Sequence, residues 1–236
     1  MMGEWIAFWD SEHSIYVNAR HRDVHYRTIA RHVSQYVPQG AEVLDYGCGE
    51  ALYAGLITPR ARRLVLCEAA PKVRAALALR FANHDAIEVR SPEEIAAFDP
   101  ATFDVVVMHS VAQYLTAKEA DLLLAVFHRL LRPEGLLILG DIIPPHVSAA
   151  RDAVALLQFA ASNGFFGAAL VGLLRTVASD YWRLRSRLGL TRYGERAMVE
   201  KLARAGFRAK RASANIGHNP ARMTFFAYRN QGCGPS

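Results

Sequence analysis

Beyond Gly40 the chain alternates two patterns: short runs of Val, Leu and Ile, and longer stretches whose apolar positions recur every three to four residues. That alternation is how a parallel sheet with crossover helices is written, because strands buried on both faces are continuously apolar while the helices covering them are apolar on one side only. It predicts strands near 42–46, 63–68, 86–90, 103–108 and 136–141, with two more near 207–214 and 223–229. The last two are expected to pair antiparallel at an edge, since only a short loop separates them.

The helix starts are signed by their capping residues. Ser91-Pro92-Glu93-Glu94 and Thr116-Ala117-Lys118-Glu119 both place a hydroxyl three residues ahead of a carboxylate, so that each satisfies an otherwise orphan backbone donor. Leu130 to Ile138 reads as a helix end, a tight Pro133-Glu134-Gly135 turn and a buried strand. A helix from Gly194 to Arg204 is expected to stop at Gly206. Residues 1–39, with Trp5, Ile6, Phe8 and Trp9 at the front, predict one or two helices forming a cap ahead of the sheet, and residues 230–236 a flexible tail.

Composition narrows the class. Hydrophobic residues make up 52% of the 236 positions and charged ones 21%, enough apolar material for a core and no composition for a disordered chain. The net charge of +6 permits an acidic partner, but no basic run concentrates it. Cys48, Cys67 and Cys233 are too scattered for a disulfide framework or a Cys-x-x-Cys metal site, which suits a reducing compartment. With Glu4, Asp10 and Glu12 near the front, the opening residues do not read as a secretion signal, and a cytoplasmic location is expected.

The chemistry is concentrated where a strand meets a glycine turn, at Asp45-Tyr46-Gly47-Cys48-Gly49-Glu50-Ala51. A strand-to-helix turn lets a ligand approach bare backbone, and glycine is the residue whose missing side chain allows it. Leu52 stands where the dinucleotide fingerprint needs a third glycine, which counts against a pyrophosphate-bridged cofactor and a nicotinamide dehydrogenase. Glu68 ends the next strand 19 residues beyond Gly49, a position from which a carboxylate can accept both hydroxyls of a ribose.

These residues resemble the class I S-adenosylmethionine-dependent methyltransferases, whose first motif runs acid-x-Gly-x-Gly-x-(Gly or Ala). Phe103 to Ser110 is similar to the family's fourth strand, and Leu130 to Ile138 to its helix, turn and fifth strand. The resemblance implies an α/β, Rossmann-like doubly wound, mostly parallel seven-stranded sheet with helices on both faces and a helical lid insertion. It implies a methyltransferase domain over 40–229 with an apolar lid insertion at 145–193. For S-adenosylmethionine it implies Gly47, Cys48 and Gly49 along the methionine half, Asp45 on the amino group, Glu68 on the ribose, and Ala69 and Ser91 around the adenine. His109 would approach the sulfonium, and Arg20 of the N-terminal segment would meet the methionine carboxylate. No metal is required, because the sulfonium already carries the activation.

Candidate acceptor residues follow from the rule that ligands lie beyond the carboxyl ends of the strands. His109 is the candidate general base, with Tyr114, His146 and His218 as further substrate residues. The most unusual stretch is Ala153 to Leu174, 22 residues without a charge. A membrane span would strand the last strands across the bilayer, and Gln158, Ser162, Asn163 and Gly164 break the run, so two short apolar helices are expected. Such a lid, with Phe165 and Phe166 at its turn, fits a small lipophilic or aromatic acceptor, a dimer contact or peripheral membrane contact, the last favoured by Arg175, Arg183, Arg185 and Arg187. The alternatives are an RNA methyltransferase and a non-catalytic S-adenosylmethionine-binding module. No nucleic acid is expected, because His109-Ser110-Val111-Ala112 replaces the Asn/Asp-Pro-Pro-aromatic motif of base amino methylation.

Overall fold

The alternation of apolar runs and amphipathic stretches is resolved as a sheet between two layers of helix. The computed structural model describes residues 2–11, 15–176 and 180–229. Its strands are β1 (Ala41–Tyr46), β2 (Ala61–Cys67), β3 (Ile87–Arg90), β4 (Phe103–His109), β5 (Leu131–Ile142), β6 (Phe207–Arg211) and β7 (Met223–Arg229). They form one seven-stranded sheet in the order β3-β2-β1-β4-β5-β7-β6. The first five are parallel, and β7 runs antiparallel to both β5 and β6, which is the expected edge pair.

Because successive strand residues point to opposite faces, the continuous apolar runs divide between two cores. Val43, Leu64, Leu66, Val105, Val107 and Ile138 share one with Val33 and Leu77. Their neighbours Leu44, Val65, Val106, Met108, Leu137 and Leu139 share the other with Leu124, Phe127 and Leu202. The first face is covered by α2 (Ala19–Ser34) and α3 (Pro71–Arg80), the second by α5 (Ala117–Leu130) and α9 (Glu195–Arg204). Ahead of these, α1 (Met2–Trp9) buries Trp5, whose ring lies 4.5 Å from that of Tyr114. Both capping boxes form as expected, Ser91 opening α4 (Pro92–Ala96) and Thr116 opening α5.

The region around Pro133 differs from expectation. The chain does not leave the sheet for a turn: β5 begins at Leu131, opposite Phe103, and resumes with Leu136 opposite Val105, so the intervening residues bulge within the strand. Glu134 takes φ 61°, and a Cβ at Gly135 would stand 2.8 Å from the Arg132 carbonyl oxygen, so the bulge needs glycine there. β6 ends at Arg211, three residues short of the expected 214.

The uncharged stretch folds as the two expected helices, α6 (Ala149–Asn163) and α7 (Phe166–Thr176), followed by α8 (Asp180–Leu188). Gly164, at φ 75°, ends α6 in the left-handed region. Among the described residues no helix is long and apolar enough to cross a membrane. The expected tail at 230–236 lies outside the described residues.

Phe127 is fully buried where α5 meets the sheet, so Phe127→Ala should cost about 3–5 kcal/mol of unfolding free energy. Thr116→Ala, which removes only the cap of the same helix, should cost about 1 kcal/mol. Denaturant unfolding checks the ranking, and equal losses would mean that α5 is not anchored through Phe127.

Candidate functional site

The carboxyl ends of β1, β2, β4 and β5 open on a cavity of about 1620 Å³ roofed by α1, α2, α6 and α7. A drug-sized ligand needs roughly 300–1,000 Å³. The volume therefore admits two ligands side by side.

Its floor is the glycine turn after β1. Gly47 and Gly49 both take positive φ, 75° and 57°. A Cβ on Gly47 would stand 2.4 Å from Val111 Cγ2, and one on Gly49 would stand 2.6 Å from Tyr26 Oη. Glycine is thus required twice over, by backbone conformation and by close approach. Glu68 braces the turn from β2: its carboxylate accepts from Gly49 N–H and from Ala70 N–H, each at 2.9 Å. Burial pushes the Glu68 carboxyl above its usual range, against the pull of those amides. Asp45 lines the cavity beside it and makes no side-chain hydrogen bond among the described residues. Burial, with the charge of Glu68, pushes its pKa up to about 7.

A second group of polar residues holds the ends of β4 and β5 together. Ser110 and Asp141 both take positive φ, 58° and 64°, uncommon for non-glycine residues and a form of strain that clusters at functional sites. Ser110 Oγ donates to Asp141 Oδ2 at 2.6 Å and stands 3.0 Å from His109 Nδ1. His109 Nε2 lies 2.9 Å from the Ile216 carbonyl oxygen; a carbonyl can only accept, so that nitrogen carries the proton. Gly140 permits this placement, since a Cβ there would stand 2.5 Å from His109 Cδ2. Arg222 then ties the group to the lid: Nη1 donates to Asp141 Oδ2 at 2.7 Å and to Gln113 Oε1 at 3.2 Å, and Nη2 to Asp152 Oδ2 at 3.1 Å. Burial alone would raise the Asp141 carboxyl, but Arg222, His109 and Ser110 hold it below its usual range.

The third wall is one face of α2. His21, His25, Ile29 and Val33, spaced by four, line the cavity with Arg22, Tyr26 and Ala30. Tyr26 Oη accepts from Glu50 N–H at 3.0 Å, and Arg27 and Asp23 hold Tyr53 just beyond the glycine turn, so α2 is fastened to the floor. Tyr16 and Tyr26 are hydrogen-bonded to each other, and burial raises both phenols, Tyr26 to about 12. His25 makes ring contacts with Tyr16, Tyr26, His21 and His218 and no hydrogen bond among the described residues. Burial depresses all four cavity histidines, His21 to about 4, with His25 well below its usual range and His109 and His218 also lowered. They are neutral at pH 7.

Of the residues singled out from the sequence, Asp45, Gly47, Cys48, Gly49, Glu68, Ala69, His109, Tyr114 and His218 line this cavity. Five do not. The guanidinium of Arg20 is engaged with the Asn163 carbonyl at the end of α6 and lies over Gly164, outside the lining. The Ser91 hydroxyl caps α4, and its neighbours Pro92 and Glu93 reach the cavity instead. His146 is exposed in the turn after β5 and is not part of the lining. Phe165 is buried behind the wall, stacked on His21 with centroids 5.1 Å apart, and Phe166 faces outward. His25, Tyr26, Ser110 and Arg222 enter from outside the expected set. For His25 and Tyr26 the four-residue spacing along α2 was the available signal. Among the described residues no group of His, Cys, Asp and Glu is arranged to hold a metal ion.

Residues 44–139 match the protein family described as "Methyltransferase domain". No curated protein sequence matches the chain. Solved structures do share its fold. An amino pentose methyltransferase of Micromonospora echinaspora, bound to S-adenosylmethionine, superposes with a TM-score of 0.61 at 16% identity, over 93% of this chain and 100% of that one. The N-methyltransferase NodS of Bradyrhizobium japonicum, in complex with S-adenosylhomocysteine, gives 0.60 at 15% identity over 97% and 98%. A Burkholderia thailandensis 1,6-didemethyltoxoflavin-N1-methyltransferase, with bound 1,6-didemethyltoxoflavin and S-adenosylhomocysteine, gives 0.54 at 16% identity over 87% and 78%.

Arg222→Met should leave Asp141 and Asp152 facing each other without their shared cation. The expected loss, read by thermal or denaturant unfolding, is about 3–5 kcal/mol, the range for removing one partner of a buried ion pair. A change within the roughly ±0.5 kcal/mol of a surface substitution would show that the network does not hold the lid to the sheet.

Proposed function

We propose that this chain, whose residues 44–139 match a methyltransferase domain, is a class I S-adenosylmethionine-dependent methyltransferase that acts on a hydroxyl or amine of a small aromatic or otherwise lipophilic acceptor. The observation that carries this reading is the make-up of the cavity beyond the glycine turn. Trp5, Ile6, Trp9, Tyr114, Leu156 and Leu173 line it, beside the polar groups described above. Such a lining rewards burial of an apolar acceptor and fixes its orientation with few polar contacts.

The floor suits the cofactor. Its methionine half carries an ammonium and a sulfonium, and Asp45 presents a carboxylate without a partner of its own. Gly47 and Gly49 leave room for close approach to the backbone. Glu68 accepts the Gly49 and Ala70 amides, the Ala69 amide also favours its charged form, and a carboxylate has about four lone-pair sites, so at least one remains for a ribose hydroxyl. When bound, the cofactor supplies a methyl group already activated by the positive sulfur. What is left to the protein is to hold the acceptor in line and exclude water.

The proton leaving the acceptor is best received by His25. His109, the residue first expected in that role, already donates Nε2 to Ile216, and its Nδ1 faces Ser110. We therefore assign His109 to positioning the end of β4. His25 is neutral, lines the cavity and has both ring nitrogens uncommitted among the described residues.

A panel of phenols, arylamines and structured RNA, incubated with methyl-labelled S-adenosylmethionine, tests the reading. Label should enter aromatic hydroxyls or amines, and His25→Gln should lower kcat by about 10²–10⁴-fold with cofactor affinity kept. Label entering RNA alone would reject the acceptor class. An undiminished kcat in the variant would reject the assignment of His25.

A further inference from the structure

The inner side of α7 belongs to the cavity, through Gly167, Ala168, Gly172 and Leu173, but its outer side has no counterpart. Steps of four place Phe166, Leu170 and Leu174 on one line, with exposures of 49%, 48% and 74%, and Val171 beside them at 47%. The opposite side is anchored: Ala169 is fully buried, and a Cβ on Gly172 would stand 2.3 Å from Val17 Cγ1. A row of large aliphatic and aromatic side chains in water is not explained by the fold.

We propose that this face docks on an anionic lipid bilayer surface, with α7 lying in the headgroup region above the cavity mouth. Charge is the first argument. No acidic residue occurs between Asp152 and Asp180, Arg175 closes the exposed row and Arg183 follows on α8, where Arg187 is paired with Glu4, in a chain of net charge +6. An amphipathic helix with basic flanks is held to anionic lipid by apolar burial and electrostatic attraction together. Area is the second. A helix of 11 residues is roughly 16 Å long at about 1.5 Å per residue. One such face falls far short of the roughly 800 Å² per partner of a standard protein interface, so a second copy of the chain is poorly served by it. The third is continuity, since Val171 and Arg175 belong both to the exposed row and to the cavity lining. An amphiphilic acceptor could pass from the bilayer to the site along α7. That last step rests on the acceptor class proposed above; the docking itself does not.

Co-sedimentation with phosphatidylcholine vesicles, with and without phosphatidylglycerol, tests the docking without any turnover. Wild type should pellet at least about tenfold more with the anionic vesicles and be released by salt, as screening requires. Leu170→Ser/Leu174→Ser, at two exposed positions outside the cavity lining, should remain in the supernatant with unchanged melting temperature and cofactor affinity. Wild type that stays in solution with both vesicles, or a variant that pellets equally, overturns the proposal. So does a wild-type dimer that the variant converts to monomer, because the face would then belong to a second copy. Failure of the acceptor panel leaves these results unaffected, so the two readings fail separately.

Discussion

Two carboxylates share a small volume at the ends of β1 and β2, and the organisation of the site follows from how each is satisfied. Glu68 is held by two backbone amides, one from the glycine turn and one from the start of α3. That bridge sets the shape of the turn and keeps the carboxylate facing the cavity. Asp45 receives no such help, and burial next to Glu68 lifts its pKa to about 7. A buried carboxylate in that position is costly when ionised and is relieved by an incoming cation. The floor of the cavity is therefore built to prefer a ligand bearing positive charge, in keeping with the cofactor of the matched domain.

Around that floor the polar groups are already spent on one another. Ser110, Asp141, Gln113, Asp152 and Arg222 form a connected group that fastens the strand ends to the lid. His109 is fixed by a backbone carbonyl. What remains open to an acceptor includes aromatic and aliphatic surface with neutral imidazoles, which is why the proposal favours an apolar substrate and assigns the proton to His25.

Much of the fold was legible because it rests on local rules. The apolar runs that become the strands, the capping hydroxyls of Ser91 and Thr116, and the break at Gly164 each act within a few residues. The bulge at Glu134 was read as a turn because proline and glycine signal reversal equally well when the strand continues past them. The floor of the site was legible for the same local reason, a glycine turn following a strand. Arg222 was not: its partners Gln113, Asp141 and Asp152 lie 109, 81 and 70 residues away, and nothing near it in sequence points to them. Arg20 was misplaced in the same way, because the carbonyl it meets comes from the end of α6.

Proton counting on cofactor binding reaches the centre of this account most directly. At about pH 6.5, below the raised pKa of Asp45 and also below the roughly 7.7–8.0 of an α-amino group, Asp45 is largely protonated and the amine is charged. Calorimetry of S-adenosylmethionine binding in buffers of different ionisation enthalpy should then show net proton release by the wild type, and none by Asp45→Asn. Binding that releases no proton in the wild type, or the same number in both proteins, would contradict the claim that a strained carboxylate on the cavity floor selects the cation.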